Sequence, residues 1–287
     1  IHLLKSFLLA AMTVNSHMTS LADKAYLKDI ERQNINRSIE TLKSRLNSHF
    51  GTSLNEHFVF GSYTRGTILP RSMDQQSDID YIVVFKDSEY QPQTYLDRLR
   101  RFVELYYSRS EITQSNPTIV LTLNHIKFEL VPAINSYFSG LQIPAKRNDF
   151  NKWIGTSPND INQSLTETNK SNSNLIKPMI RLVKYWNAKN NYPFESFELE
   201  KHLAEKPYWM VGFMSSPQIK DYFFDAIETL ELGWGAAQYK VNALNRAKRI
   251  VGEVKSNLDN GYPNIAESEI KKLLPDATTI KALTLGL

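Results

Sequence analysis

The run Asp78-Ile79-Asp80-Tyr81-Ile82-Val83-Val84-Phe85 constrains this chain more than any other stretch. After Asp80 it is continuously apolar and rich in β-branched and aromatic residues, the pattern of a strand covered on both faces near the middle of a sheet. Its first three residues carry two carboxylates. Side chains alternate along a strand, so Asp78 and Asp80 share one face, with Cα atoms about 6.5 Å apart. Two carboxylates on one face repel unless something positive lies between them. Mg²⁺ is the natural counter-ion, because it takes oxygen ligands and bridges carboxylates to substrate phosphates. Just upstream, Phe58-Val59-Phe60 reads as a short strand running into Gly61-Ser62, with a short helix over 62–68 stopped near Pro70. Backbone N–H groups of Gly61 and Ser62 at that helix start suit a phosphate. A cation beside a phosphate cradle is the layout of nucleotidyl-transfer chemistry.

Composition narrows the class. The chain has 287 residues, enough for one large domain or two lobes, and its 41% hydrophobic content excludes a disordered chain. There is no cysteine, which excludes disulfides, Cys-type zinc sites and a thiol nucleophile, and fits a cytoplasmic location. A net charge of +4 favours polyanionic ligands without arguing for nucleic acid. The first stretch, Ile1 to Val14, is apolar apart from His2, Lys5, Ser6 and Thr13. It has a weak basic start and no clear cleavage site, and it is too short to span a bilayer. We read residues 1–21 as an extension, either a tag remnant or a packing helix, and expect no membrane association.

Along the chain, the spacing of Leu27, Ile30, Ile35, Ile39, Leu42 and Leu46 predicts a helix over 22–50. A second amphipathic helix is predicted over 94–107, with Leu96, Leu99, Phe102, Val103 and Tyr106 on one face. Strands over 118–123 and 126–134 flank Asn124-His125, a two-residue hairpin turn. In the second of these, Lys127, Glu129 and Val131 share a face opposite Phe128 and Leu130. The polar stretch 144–174 reads as a lobe connection with some helix. Helices follow over 175–190, capped by Ser173 or Asn174, then 195–205, 218–232, 236–257 and 266–274. Mixed strand and helix therefore come first and helix alone afterwards, giving a catalytic lobe over 22–155 and a helical lobe over 156–287.

Glu129 is the third carboxylate. It sits mid-strand between Phe128 and Leu130, where an unpaired charge is costly, so a metal role is favoured over a solvated edge position. A strand pairing with 78–85 would bring it beside Asp78 and Asp80. Lys177, Arg181 and Lys184 recur at i, i+4 and i+7, a stripe able either to line a cleft and neutralise a triphosphate or to form a solvated face. Phe197 is a core aromatic or a base-stacking platform. Arg65 could reach a phosphate or pair with a carboxylate. The groups Arg98, Arg100, Arg101, Arg109 and Lys240, Arg246, Lys248, Arg249, Lys255 read as solvated helix faces. The six histidines show no metal spacing, and no Walker A or dinucleotide glycine motif is present.

Gly61-Ser62, Asp78-Ile79-Asp80 and Glu129 together resemble the DNA polymerase β nucleotidyltransferase superfamily. The fuller strings Phe60-Gly61-Ser62-Tyr63-Thr64-Arg65-Gly66-Thr67, Ser77-Asp78-Ile79-Asp80 and Phe128-Glu129-Leu130-Val131-Pro132-Ala133 look like the bacterial cGAS/DncV-like nucleotidyltransferases (CD-NTases). Glu129 stands where many members have Asp. Arg181-Leu182-Val183-Lys184-Tyr185-Trp186-Asn187 and Glu195-Ser196-Phe197-Glu198-Leu199-Glu200 resemble the second lobe of that lineage. The resemblance covers roughly residues 35–205. It implies an α/β (α+β), two-lobed fold, with a mixed-sheet catalytic lobe and a helical lobe flanking a cleft. It further implies that Lys184 and Ser196 contact the donor triphosphate and that Phe197 stacks on a base.

The expected activity is joining of NTPs with pyrophosphate release. Two Mg²⁺ (or Mn²⁺) ions held by Asp78, Asp80 and Glu129 would serve it, with Gly61, Ser62, Arg65, Lys184, Ser196 and Phe197 binding nucleotide. The substrates would be ATP, GTP or both, with a pyrimidine NTP open. The product would be a cyclic di- or trinucleotide messenger of anti-phage (CBASS) signalling that acts through a downstream effector. The alternatives are an RNA-directed enzyme, either CCA-adding or a tRNA-modifying toxin, and a catalytically silent nucleotide-sensing module.

Overall fold

The structure is a computed structural model, and it describes residues 14–115, 117–145, 152–211 and 216–277. The N-terminal stretch read over 1–14 therefore lies outside the described residues except for Val14. Two compact units emerge. Among the described residues, one holds those within 27–68 and 76–160; the other holds 14–26, Leu69–Gln75 and those from Ile161.

The first unit is built on a seven-stranded mixed sheet. Its strands are β1 (Leu54–Phe60), β2 (Asp78–Phe85), β3 (Glu111–Ser115), β4 (Thr118–Thr122), β5 (Lys127–Ser136), β6 (Gly140–Pro144) and β7 (Trp153–Gly155). The order is β1-β2-β5-β4-β3, with β6 on β5 and β7 on β6. β2 and β5 run parallel, and β1 with β2 and β4 with β5 run antiparallel. The Asn124-His125 turn joins β4 to β5 as expected, with the Leu123 N–H donating to the Ile126 carbonyl at 2.9 Å.

Alternation sorts the central strands into two faces. Ile79, Tyr81, Val83 and Phe85 of β2 join Phe128 and Leu130 of β5 in one apolar cluster. That cluster is closed by Ile35, Ile39, Leu42 and Leu46 of α2 (Asp29–Phe50) and by Leu96, Leu99, Phe102 and Val103 of α4 (Pro92–Tyr106). On the other face, Ile82, Val84, Val131 and Ala133 form a small separate cluster. The carboxylates share this second, less covered face. Truncating Leu130→Ala in the main cluster is expected to cost about 3 kcal/mol, the usual order for a buried leucine, read as a lower urea midpoint.

The helix expected over 22–50 is two helices, α1 over residues 14–24 and α2. The chain breaks because Lys28 is extended (ψ 155) and its N–H donates to the Glu31 carboxylate at 3.1 Å, so the first turn of α2 is capped locally. Ile30, expected in the core stripe, is 73% exposed. Five residues separate it from Ile35, which at 3.6 residues per turn puts it about 140° off that stripe.

The second unit packs α1 with α5 (Asp160–Ser171), α6 (Ile176–Lys189), α7 (Ser196–Glu205), α8 (Ile219–Thr229), α9 (Gln238–Asp259) and α10 (Pro263–Leu273). The remaining short helix, α3 (Gly61–Arg65), belongs to the sheet unit. The helical core is centred on Trp186, Tyr185, Met179, Phe223 and Tyr222. Neither Ser173 nor Asn174 caps α6. Both adopt positive φ (54° and 61°), and the Lys177 N–H instead donates to Asn169 Oδ1 at 2.9 Å.

Candidate active site

The carboxylate site is set by strand register. Pairing of β2 with β5 puts Asp80 opposite Glu129 and Asp78 opposite Lys127. Parallel pairing makes Glu129 a neighbour of both aspartates on the face away from α2 and α4. Burial is the first cause of an Asp78 carboxyl pushed up to about 8, followed by the charges of Asp80 and Glu129, with Lys127 opposing. The side-chain contact with Glu129 raises it further. Lys127 was not singled out from the sequence as part of this site. Its period-two relation to Glu129 was the available signal.

Gly61 explains how the turn meets the strand. Phe60 pairs with Asp80 across β1 and β2, so the chain enters α3 directly beside that carboxylate. Gly61 has φ +75, and a Cβ there would fall 1.9 Å from Asp80 Oδ2. Only glycine tolerates both the left-handed backbone and the close approach. The turn is held from within. The Ser62 carbonyl accepts from the N–H groups of Thr67 (3.0 Å) and Ile68 (3.1 Å), the Thr64 hydroxyl donates to the Gly61 carbonyl at 2.9 Å, and Gly66 closes the helix in the left-handed region. The helix is shorter than the 62–68 expected because Gly66 ends it. Arg65, read as reaching a phosphate or pairing with a carboxylate, is buried at the last position of the helix.

Three oxygen-donor side chains that repel one another suit a hard divalent cation. They are adjacent rather than converged. Among the described residues no three His, Cys, Asp or Glu side chains already surround a common point. Asp78 lies beside Glu129, and Asp80 lies against Gly61, all on one face of the paired strands.

In the helical unit, the basic stripe on α6 is neither a solvated face nor a row of equivalent cations. Arg181 is buried, lies 5.1 Å over the Tyr26 ring, and is pushed down to about 10, burial being the main cause. Lys184 is buried too, with its Nζ 3.6 Å from Glu200 Oε2 of α7, itself 1% exposed. Glu200 appeared in the sequence only within the second-lobe string, with no role. Replacing it by alanine leaves a buried ammonium uncompensated. We expect a loss of about 3 kcal/mol in urea unfolding, recovered largely by Lys184→Met in the same chain. Ser196 opens α7 and is exposed, and Phe197 is 47% exposed, which corrects the core-aromatic reading. The basic residues of α9 do form a solvated face with local partners, Arg249 with Glu253 and Lys255 with Glu228.

The profile of the SMODS family, "Second Messenger Oligonucleotide or Dinucleotide Synthetase domain", matches residues 12–169. A curated relative from an Acinetobacter species, a cyclic AMP-AMP-AMP synthase, is 26% identical over 158 residues, 52% of this chain and 45% of that protein. The chain thus matches about half the length of that relative. Among solved structures, E. coli MS115-1 CdnC with ATP superposes with a TM-score of 0.64 at 16% identity, covering 92% of this chain and 98% of that one. The Bradyrhizobium diazoefficiens CD-NTase CdnG in complex with GTP gives 0.65 at 10% identity, covering 91% and 98%. Vibrio cholerae DncV, a cyclic AMP-GMP synthase in complex with a linear intermediate, gives 0.61 at 10% identity, covering 97% and 90%. These likenesses establish the polymerase-β-like fold. With the profile spanning over half the chain and the strand pair carrying Asp78, Asp80 and Glu129, the chain belongs to the SMODS family of cGAS/DncV-like nucleotidyltransferases.

Proposed function

We propose that this chain joins nucleoside triphosphates with release of pyrophosphate and closes them into a cyclic di- or trinucleotide signal for anti-phage defence. The supporting observation is the register of β2 and β5, which gathers Asp78, Asp80 and Glu129 on one face beside the Gly61-Ser62 turn. Catalysis in this family generally uses divalent metal ions. Two such ions, held by Asp78, Asp80 and Glu129, would neutralise the donor triphosphate and lower the pKa of the acceptor ribose hydroxyl.

The chain's own residues take defined parts in this reading. Asp78, pushed up by burial and its acidic neighbours, gives up its proton to serve as a ligand. Glu129 receives the proton of the acceptor hydroxyl as attack on the α-phosphorus begins. Gly61 keeps the turn close to Asp80, and the amides of Gly61 and Ser62 face phosphate. Lys184 and Ser196 contact the donor triphosphate and Phe197 stacks on its base. These three assignments rest on the family resemblance. Lys184 would exchange Glu200 for phosphate, a trade its buried position makes sensitive to Glu200.

The test is incubation with labelled ATP, GTP, CTP and UTP, singly and mixed, with Mg²⁺ or Mn²⁺, and mass analysis of phosphatase-resistant products. ATP alone is the first arm, given the activity of the Acinetobacter relative. A resistant cyclic product is expected, since a closed ring keeps no terminal phosphate. Only linear products, or label transferred solely to added tRNA, would overturn the reading.

A further inference from the structure

The sheet unit holds a cavity of about 690 Å³ whose lining includes His49, Phe50, Lys86, Asp87, Arg98 and Arg101. It lies past the end of β2 opposite to the carboxylates. Asp80 and Lys86 are six residues apart, about 20 Å along an extended strand, so this is a separate place from the candidate active site.

Its charge is one-sided, with three cations against the single carboxylate of Asp87. Among the described residues, none of Lys86, Arg98 and Arg101 forms an ion pair, whereas Lys255, Lys271, Lys272 and Arg249 each have a carboxylate partner. The walls are ordered by local contacts. Arg98 rests over the rings of Tyr90 (4.7 Å) and Tyr95 (5.3 Å), which holds the guanidinium in place. Phe50 stands edge-on to Phe85 at 5.3 Å and to His49 at 4.6 Å. The Lys86 N–H donates to the Ser53 carbonyl at 2.9 Å, tying the end of β2 to the turn after α2.

The arginines here are also held by neutral acceptors, Arg101 Nε donating to the Asp97 carbonyl at 3.3 Å. Arg100 donates to Gln114 Oε1 at 2.7 Å. Arg45 donates to the Tyr106 carbonyl at 2.9 Å and stacks over Tyr107 at 4.4 Å. Lys86, Arg98 and Arg101 thus line a concave site of small-molecule size.

The geometry points to a second binding site on this protein, for a small polyphosphorylated molecule. Lys86, Arg98 and Arg101 take the phosphates, and Phe50 with His49 forms the less polar wall. This assignment does not depend on the proposed catalytic activity.

Inorganic triphosphate, titrated calorimetrically in buffer stripped of divalent cations, is the probe. Saturable binding is expected. It should weaken by at least about tenfold, or 1.4 kcal/mol, in Lys86→Glu/Arg101→Glu, whose side chains are exposed and whose fold is checked by thermal melting. Arg98→Lys, which keeps a charge but loses the flat guanidinium on Tyr90 and Tyr95, should weaken it as well. Unchanged binding in these variants, or no saturation at millimolar triphosphate, overturns the proposal. So does an affinity that grows with the length of an added single-stranded oligonucleotide, because that identifies a nucleic-acid track instead.

Discussion

Replacing Asp78 and Asp80 together by asparagine is expected to lower pyrophosphate release from NTPs by about 10³-fold or more, while raising the melting temperature of the metal-free protein. Both effects have one origin. Asp78 is a largely buried carboxyl beside two others, and burial with the charges of Asp80 and Glu129 pushes it up to about 8. Without a cation this arrangement costs folding free energy. Asparagine keeps the shape and the hydrogen-bonding capacity toward Glu129 while removing the repulsion, for a gain of about 1–3 kcal/mol. The same substitution removes the anionic oxygens that a cation needs. Pyrophosphate release and differential scanning calorimetry on one preparation check both halves. A variant that keeps full turnover sinks the catalytic assignment. A variant that is inactive but less stable sinks the account of strain in the carboxylate cluster.

Gly61→Ala is expected to lower kcat/KM by about 10²-fold, although it adds only a single methyl group. The added Cβ would sit 1.9 Å from Asp80 Oδ2, so the carboxylate, the turn or both must move by more than 1 Å. The backbone there has φ +75, which an L-residue adopts only under strain. β1 hands the chain to α3 one residue after the Phe60–Asp80 pair, leaving little slack to absorb the shift. Gly66→Ala provides the contrast. Its φ is +72, but nothing lies within 4 Å of the added Cβ, so it should lose stability by about 1 kcal/mol with far less loss of turnover. Steady-state kinetics on the two variants separates a steric role at Asp80 from a general intolerance of alanine in the turn. Equal losses of turnover would rule out the steric role.

Much of the sheet unit was legible because its periods are simple. Continuous apolar character marked β2, strict alternation placed Glu129 on the face opposite Phe128 and Leu130, and Asn124-His125 marked the hairpin. The strands β3, β6 and β7 were not legible. β3 buries only part of Ile112 and Gln114 between exposed Glu111, Thr113 and Ser115, and β6 and β7 are short segments whose pairing partners are each other and the end of β5. Such strands exist because a neighbour offers hydrogen bonds, which no local pattern records. The break between α1 and α2 was missed for a related reason. Propensity runs through residues 22–50, and the Lys28–Glu31 cap overrides it.

By itself the sequence singled out the residues proposed here to carry the chemistry. Asp78, Asp80, Glu129 and Gly61 stand out because charge in a buried strand and glycine at a strand–helix junction are costly unless used. Tertiary structure decided how those residues meet and which cations remain available. Parallel pairing of β2 and β5 sets Glu129 opposite Asp80, and the approach of Asp80 to Gly61 makes that glycine irreplaceable. Packing also turned a uniform basic stripe into unlike residues, Arg181 stacked on Tyr26 and Lys184 paired with Glu200. It also set Lys86, at the strand end, beside Arg98 and Arg101 of α4 around one cavity. Spacing along one helix says which side chains share a face; what that face packs against depends on residues brought together from distant parts of the chain.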